Sequence, residues 1–310
     1  MRYKFKIKNI EYKKIMKSLL EFIKEAEENK IAIGHFNISS LEQLKAIFEA
    51  GQELSRLQNM KMPLIIGTSE GEGNFIGFKQ AAALVKILKE EFDYPIFLNA
   101  DHIHSLEKVK EAALAGYDAI IFDASESSFE ENLKKTKEAV IFIKSINPKI
   151  LVEGEIGFIG ASSKILEEIP EGAVIKPEDF TKPEEARHFA EETKVDLLSP
   201  AVGSIHGMFK NIPEPSLDIG RIKEIREVSG VPLVLHGGSG VSNEDFSAAI
   251  NAGVSIVHIN TEIRLAWREA LEKSLKDNPE EITPYKVMPE VIAEMKKTVI
   301  DKLRIFNKLV

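Results

Sequence analysis

The sequence contains no cysteine. That excludes disulfides, thiolate metal sites, iron–sulfur ligation and a cysteine nucleophile together. Seven histidines and the carboxylates remain as candidate metal ligands. No apolar run approaches the roughly 18 residues of a membrane span. Nor is there an excess of positive charge: 41 Lys and Arg stand against 49 Asp and Glu, a formal net charge of −8. This weighs against nucleic acid or an anionic membrane surface as partner. The basic start, Met1 to Lys14, leads into no signal-peptide pattern, because Leu19, Leu20, Phe22 and Ile23 sit among Glu and Lys as on an amphipathic helix. A soluble cytoplasmic protein, with neither nucleic-acid nor membrane partners, is expected.

The chain has 310 residues, 44% hydrophobic and 29% charged, an ordinary globular composition able to bury a core without staples. Length alone allows two domains or one α/β barrel. Eight short apolar runs recur: Ile31–Ile38, Pro63–Ser69, Pro95–His102, Ala119–Ser125, Lys149–Gly157, Asp196–Ser204, Val231–Gly240 and Ser255–Thr261. Between them lie segments with apolar residues three and four apart, such as Leu41–Leu57, Phe78–Phe92, Leu106–Ala115, Phe129–Ile146 and Glu184–Thr193. Ser105, Ser128 and Asn243 stand where helix N-caps are needed. Strand alternating with helix means parallel βαβ units, and eight of them fit a closed (β/α)₈ TIM barrel better than an open doubly wound sheet. The expectation is one barrel domain over residues 1–310, with an N-terminal helical extension over 1–30 and a C-terminal helical arm over 277–310. Helices are expected over Glu262–Lys276 and Glu290–Leu303, the second packing on the barrel or on a neighbouring subunit. Two connections, Phe158–Thr181 and His206–Asp218, exceed the usual length and suit lids or binding loops.

Polar residues at the C-terminal ends of barrel strands converge on one mouth. The third run ends in Asn99–Ala100–Asp101–His102, the fifth carries Glu153–Gly154–Glu155, the sixth leads to Ser204–Ile205–His206–Gly207, and the seventh ends in His236–Gly237–Gly238–Ser239–Gly240. One histidine in such a place is ordinarily a satisfied surface residue. Three at equivalent ends, with no thiolate to compete, favour a metal site with open coordination positions, as catalytic zinc requires. The carboxylates are candidate ligands, orienting groups or proton-transfer groups. His35, within a strand, and His188, on a helix, read as structural; His104 reads as a capping or solvated residue. The glycines after the seventh strand let backbone amides approach an oxyanion, and in barrels the phosphate site commonly forms after the seventh and eighth strands.

These stretches, together with His35–Phe36–Asn37, Asp123–Ala124–Ser125, Val152–Glu153–Gly154–Glu155–Ile156–Gly157, Ala201–Val202–Gly203–Ser204–Ile205–His206–Gly207 and Asn260–Thr261–Glu262, resemble the class II, metal-dependent ketose-bisphosphate aldolases, which include the fructose- and tagatose-bisphosphate enzymes. The likeness runs from about Ile31 to Lys302. It implies a zinc-type lyase of carbohydrate metabolism, built as a homodimer or homotetramer. Such an enzyme reversibly cleaves a phosphorylated ketose to dihydroxyacetone phosphate and an aldehyde, and it stabilises the enediolate without a Schiff-base lysine. It further implies metal ligation by His102, His206 and His236, with Glu155 as a further metal-site residue that holds the metal or supports the site, proton transfer by Asp101, and substrate or phosphate binding by Asn37, Ser69, Gly207, Lys210, Gly237, Gly238, Ser239, Asn260 and Thr261. Zinc or another divalent transition metal, and a monovalent cation beside it, are the implied cofactors.

Three positions depart from the family pattern. Ser163 stands where many members carry a loop glutamate that moves a proton, the nearest loop acids here being Glu167 and Glu168. His258 replaces a substrate-contacting asparagine. Thr283–Pro284–Tyr285 stands where an arginine often grips the distal phosphate. The altered half is therefore the one that meets the aldehyde, and Lys286, Arg264 or a neighbouring subunit's basic residue is the alternative grip. Two other functions compete with the aldolase: a diverged lyase or isomerase on another sugar phosphate, and a sugar-phosphate binding protein without activity.

Overall fold

All eight runs contain strands, and the strands close on themselves. The computed structural model describes residues 16–160, 163–167, 176–210 and 215–309. In barrel order the strands are Ile33–Asn37, Leu64–Ser69, Ile96–Ile103, Ala119–Phe122, Leu151–Ile156, Leu197–Pro200, Leu233–Leu235 and Val254–Ile259. Each pairs in parallel with the next, and the first pairs with the eighth, as His35 opposite His258. Closure leaves the barrel sheet without an edge. Helices lie between the strands, and serine hydroxyls start several of them: Ser40, Ser105, Ser128 and Ser242 each accept the N–H three residues on. Each such cap contributes about 1 kcal/mol. The cap expected at Asn243 is Ser242 instead, whose extended backbone leaves Asn243 as the first helical residue.

The interior is layered by the two-residue period of the strands. The lowest inward layer is apolar: Ile33, Ile65, Phe97, Ala119, Leu151, Leu197, Val234 and Ile256, all buried. Helix Leu19–Glu28 seals this end, with Leu19, Ile23 and Ala26 packed on that layer. Two residues further along, six of the eight strands turn polar at the inward position, with His35, Asn99, Glu153, Ser199, His236 and His258, every one of them buried, while the fourth strand keeps Ile121. Gly67 occupies this layer as well, and a Cβ there would meet the His35 ring at 2.2 Å. The apolar floor thus supports a buried polar storey, and the mouth lies above it.

Some segments differ from expectation. The last helix runs from Pro284 to Phe306 rather than starting at Glu290. Pro284 occupies its first turn, where a missing N–H costs nothing, and the helix packs on Leu41–Leu57 and Thr261–Asp277. A helix over Glu70–Ile76 escaped the sequence pattern, because Gly71 and Gly73 hide its periodicity. The two long connections meet as a short parallel ribbon, Ile165–Leu166 beside Met208–Phe209. Residues 161–162, 168–175 and 211–214 of these connections, including Glu168, and residues 1–15 lie outside the described part. Among the described residues no helix is long and apolar enough to cross a membrane.

Candidate metal centre and mouth of the barrel

His102 owes its position to an irregular strand. In a regular strand Asp101 and His102 would face opposite sides. Here the pairing with the fourth strand shifts register between Ala100 and Ile103, and His102 takes a left-handed backbone, φ 49°. The irregularity turns both side chains toward one cleft of about 720 Å³, which they line with His206, Ser69, Asn260, Ser163 and Arg264. A left-handed non-glycine residue costs about 1 kcal/mol or more. Asp123 restrains it: Oδ2 lies 2.8 Å from His102 Nδ1.

Three imidazoles meet there. His102 Nε2 lies 2.9 Å from His236 Nδ1, the His206 ring stands edge-on to His102 with centroids 4.7 Å apart, and one nitrogen from each of the three falls within 4.8 Å of the others. The outer nitrogens are engaged by carboxylates, His102 Nδ1 by Asp123 and His236 Nε2 by Glu153 at 2.8 Å. The inner pair points at each other: without metal, a second proton on His102, favoured by the neighbouring carboxylates, bridges Nε2 and His236 Nδ1, and a metal ion would take that proton's place between the two lone pairs. Nitrogen ligands at 2.0–2.1 Å around a tetrahedral ion stand about 3.3 Å apart, a spacing that the 2.9 Å pair and the 4.8 Å limit bracket. Three imidazoles backed by carboxylates fit a divalent transition metal with open coordination positions.

Burial and mutual charge set the protonation of this cluster. Burial, then the charge on His102, pushes His206 and His236 down to about 3, so both imidazoles are neutral. Burial alone would lower His102; Asp101, Glu155 and Asp123 outweigh it and hold it well above its ordinary value. Burial would raise Asp101, but His102, His258 and His35 hold it well below the ordinary carboxylate range. Glu155 is raised well above that range by burial and then by Asp123. Its Oε2 has no hydrogen-bond partner and lies 3.6 Å from His102 Nδ1 and 3.9 Å from His236 Nδ1.

The other sequence-derived residues are distributed as follows. Asn37 Nδ2 donates to Asp101 Oδ2 at 2.8 Å and to Glu72 Oε2 at 2.9 Å. Ser69 and Asn260 line the mouth. Gly237 (φ 61°) packs so closely on the preceding loop that a Cβ would meet the Ile205 carbonyl at 2.3 Å; Gly207 is also left-handed. Ser239 Oγ accepts from the amides of Asn260 and Glu262 at 3.4 and 3.3 Å, at the start of helix Thr261–Asp277, whose N-cap Asn260 makes no side-chain cap. Gly238, Ser239 and Thr261 therefore surround a helix N-terminus rich in amide donors. Lys210 closes the ribbon through its amide, 3.1 Å from the Leu166 carbonyl, and does not line the cleft. Ser163 is docked: its Oγ accepts from Asn260 Nδ2 at 3.3 Å and its carbonyl from Arg264 at 3.2 Å.

Tyr285 is not at the mouth. It is 74% exposed and lines a separate hollow with Leu41 and Glu42, while Lys286 pairs with Glu281. Of the basic residues named as alternatives within the chain, Arg264 is the one in the cleft. His188 stacks on Phe129, as a structural residue does. His104 Nδ1 bonds the Asp123 carbonyl at 3.0 Å and lines the cleft, while Ser105 makes the cap. His35 is more than strand filler: its ring stacks on His258 with centroids 3.5 Å apart, and His258 Nδ1 lies 3.5 Å from Asp101 Oδ1. The sequence offers Glu153 only as one of several strand-end carboxylates, and it singles out neither Asp123 nor Glu72 for a role of its own. Glu153 was within reach, since its spacing of two from Glu155 puts both on the inward face.

Residues 17–309 match the family model described as "Fructose-bisphosphate aldolase class-II". A fructose-bisphosphate aldolase of Geobacillus stearothermophilus is 35% identical over 293 residues, 94% of this chain and 96% of the relative. A probable fructose-bisphosphate aldolase of Bacillus subtilis is 35% identical over 94% of this chain and 97% of its own length. The YdjI aldolase of Escherichia coli K12 superposes with a TM-score of 0.75 at 27% identity, covering 94% of this chain and 97% of its own. The fructose-bisphosphate aldolase of Campylobacter jejuni, at 19% identity and a TM-score of 0.76, shares the fold. The chain belongs to the class II fructose-bisphosphate aldolase family, whose members depend on a metal, and is an aldolase-type lyase.

Proposed function

We propose that this protein is a zinc-dependent aldolase that cleaves a phosphorylated ketose to dihydroxyacetone phosphate and an aldehyde, and runs the reverse condensation. The observation that carries the reading is the convergence of three carboxylate-backed imidazoles beside the buried Asp101 under a polar cleft. A divalent ion held by His102, His206 and His236 supplies a Lewis acid for the ketose carbonyl. Asp101, kept ionised by its histidine neighbours, accepts the proton of the hydroxyl next to the bond that breaks, so that this carbon leaves as an aldehyde; the bonding pair stays on the ketose fragment, whose enediolate takes up a proton from water to become dihydroxyacetone phosphate while Asp101 releases its own. Asn37 fixes the carboxylate by donating to Oδ2. The amides around Gly237, Gly238 and Ser239 and the Thr261 helix start hold the near phosphate, where donors and helix dipole favour an anion. Ser69, Ser163 and Asn260 face the far end of the substrate. Glu155 supports His102 and His236 rather than moving the substrate proton. Assembly as a homodimer or homotetramer in the cytoplasm accompanies this reading.

The test is a retro-aldol assay on a panel of ketose mono- and bisphosphates, with enzymatic detection of dihydroxyacetone phosphate, in the Asp101→Asn protein beside the unchanged one. Cleavage by the unchanged protein that is lost with Asp101 supports the reading. Binding of sugar phosphates without any cleavage favours the non-catalytic alternative.

A further inference from the structure

The guanidinium at the mouth is already committed. Arg264 Nη2 lies 2.5 Å from Glu72 Oε1, and Nη1 donates to the Ser163 carbonyl at 3.2 Å. Glu72 is 6% exposed and rigidly held: Oε2 accepts from the Ser69 amide and from Asn37 Nδ2, both at 2.9 Å, within a capping box that starts helix Glu70–Ile76. The Arg264 side chain is 37% exposed, so it faces the cleft with its charge balanced by a carboxylate behind it. The Asn37 amide group joins Glu72 to Asp101, placing two carboxylates on one donor. Among the described residues the lysines that also line the cleft are Lys135, which bonds Glu131 on its own helix and Ser127 just ahead of that helix, and Lys164, an exposed residue next to Ser163. Around Arg264 the available groups are neutral: Ser69 and Ser163 hydroxyls and the Asn260 amide.

We propose that Glu72 is a specificity-determining residue: by pairing with Arg264 it keeps a second phosphate from the far end of the cleft, so that the preferred substrate is a ketose 1-phosphate whose aldehyde half carries hydroxyls only. A phosphate dianion seated on Arg264 would share that guanidinium with a fixed carboxylate and approach the charge on Asp101. Two of the five guanidinium N–H donors are already engaged, one by Glu72 and one by the Ser163 carbonyl, so a phosphate would have to share the fork with a fixed carboxylate. Hydroxyls meet no such repulsion and find donors and acceptors in Ser163 and Asn260. The inference rests on the aldolase reading for its substrate, but its electrostatic core, an anion site masked by Glu72, stands without turnover.

The experiment compares kcat/KM for a ketose 1-phosphate and the matching 1,6-bisphosphate. Glu72→Gln keeps the shape of the side chain and removes its charge. The bisphosphate-to-monophosphate ratio should rise by about tenfold or more, and the gain should disappear when Arg264→Met is added. An unmoved or falling ratio overturns the proposal, as does a hundredfold preference for the bisphosphate in the unchanged protein. Calorimetric titration with inorganic phosphate, at fixed ionic strength and with the metal loaded, supplies a readout without turnover. Glu72→Gln should bind one equivalent more than the unchanged protein, and equal stoichiometry overturns the proposal. An added equivalent in a protein that cleaves no sugar phosphate would refute the aldolase reading and leave the masked site standing.

Discussion

Glu153 lies behind His236, its Oε1 2.8 Å from Nε2, and neither side chain is more than 3% exposed. The contact fixes which imidazole nitrogen is left for a metal. With the proton on Nε2, Nδ1 turns its lone pair toward His102. Glu153→Gln keeps the shape and weakens this control. Zinc affinity, read by competition with a chromogenic chelator, should fall about 10- to 100-fold. Unchanged affinity would mean that Glu153 only fills the barrel.

The three imidazoles should act as one unit. His102→Ala, His206→Ala and His236→Ala should each emerge with metal well below the level of the unchanged protein, as measured by inductively coupled plasma mass spectrometry. Full occupancy in all three variants would remove them as ligands. Alanine is the informative choice, because asparagine or aspartate can still ligate.

Asp101→Asn tests proton transfer apart from metal binding. Turnover should fall by about two to four orders of magnitude with metal content unchanged. Loss of metal in this variant would instead make Asp101 a support for His102, whose Nε2 lies 3.7 Å away.

Metal uptake should depend on pH in a set direction. Without metal, neighbouring carboxylates raise His102 well above its ordinary value, so it keeps its second proton and Nε2 has no lone pair. Metal binding must expel that proton. Affinity should therefore weaken as pH falls, by up to about tenfold per unit below the raised value, while His206 and His236, neutral down to about 3, contribute nothing to the slope. Calorimetry in buffers of different ionisation enthalpy measures the released proton directly. Affinity that stays flat between about pH 6 and 8 contradicts this picture of His102.

The barrel and the three converging histidines were legible because their signals are local. Period-two strands, serine caps and strand-end histidines are written in runs of a few residues, and closure follows once eight parallel units are counted. The remaining features depend on contacts between distant segments. Glu72 meets Arg264 across 192 positions, and its helix is masked by two glycines. The stack of His35 on His258 arises only when the first strand closes on the eighth. Sequence likeness puts Tyr285 where a C-terminal arginine often grips the distal phosphate, but the helix that begins at Pro284 carries it to a different hollow.

The measurement closest to the central claim is release of dihydroxyacetone phosphate from a ketose 1-phosphate before chelation, after chelation and after zinc is restored. Cleavage that disappears with the metal and returns with it is the expected result. Cleavage that survives complete removal of the metal, or none from any phosphorylated ketose by the zinc-loaded protein, would contradict the assignment of His102, His206 and His236 as the centre of an aldolase.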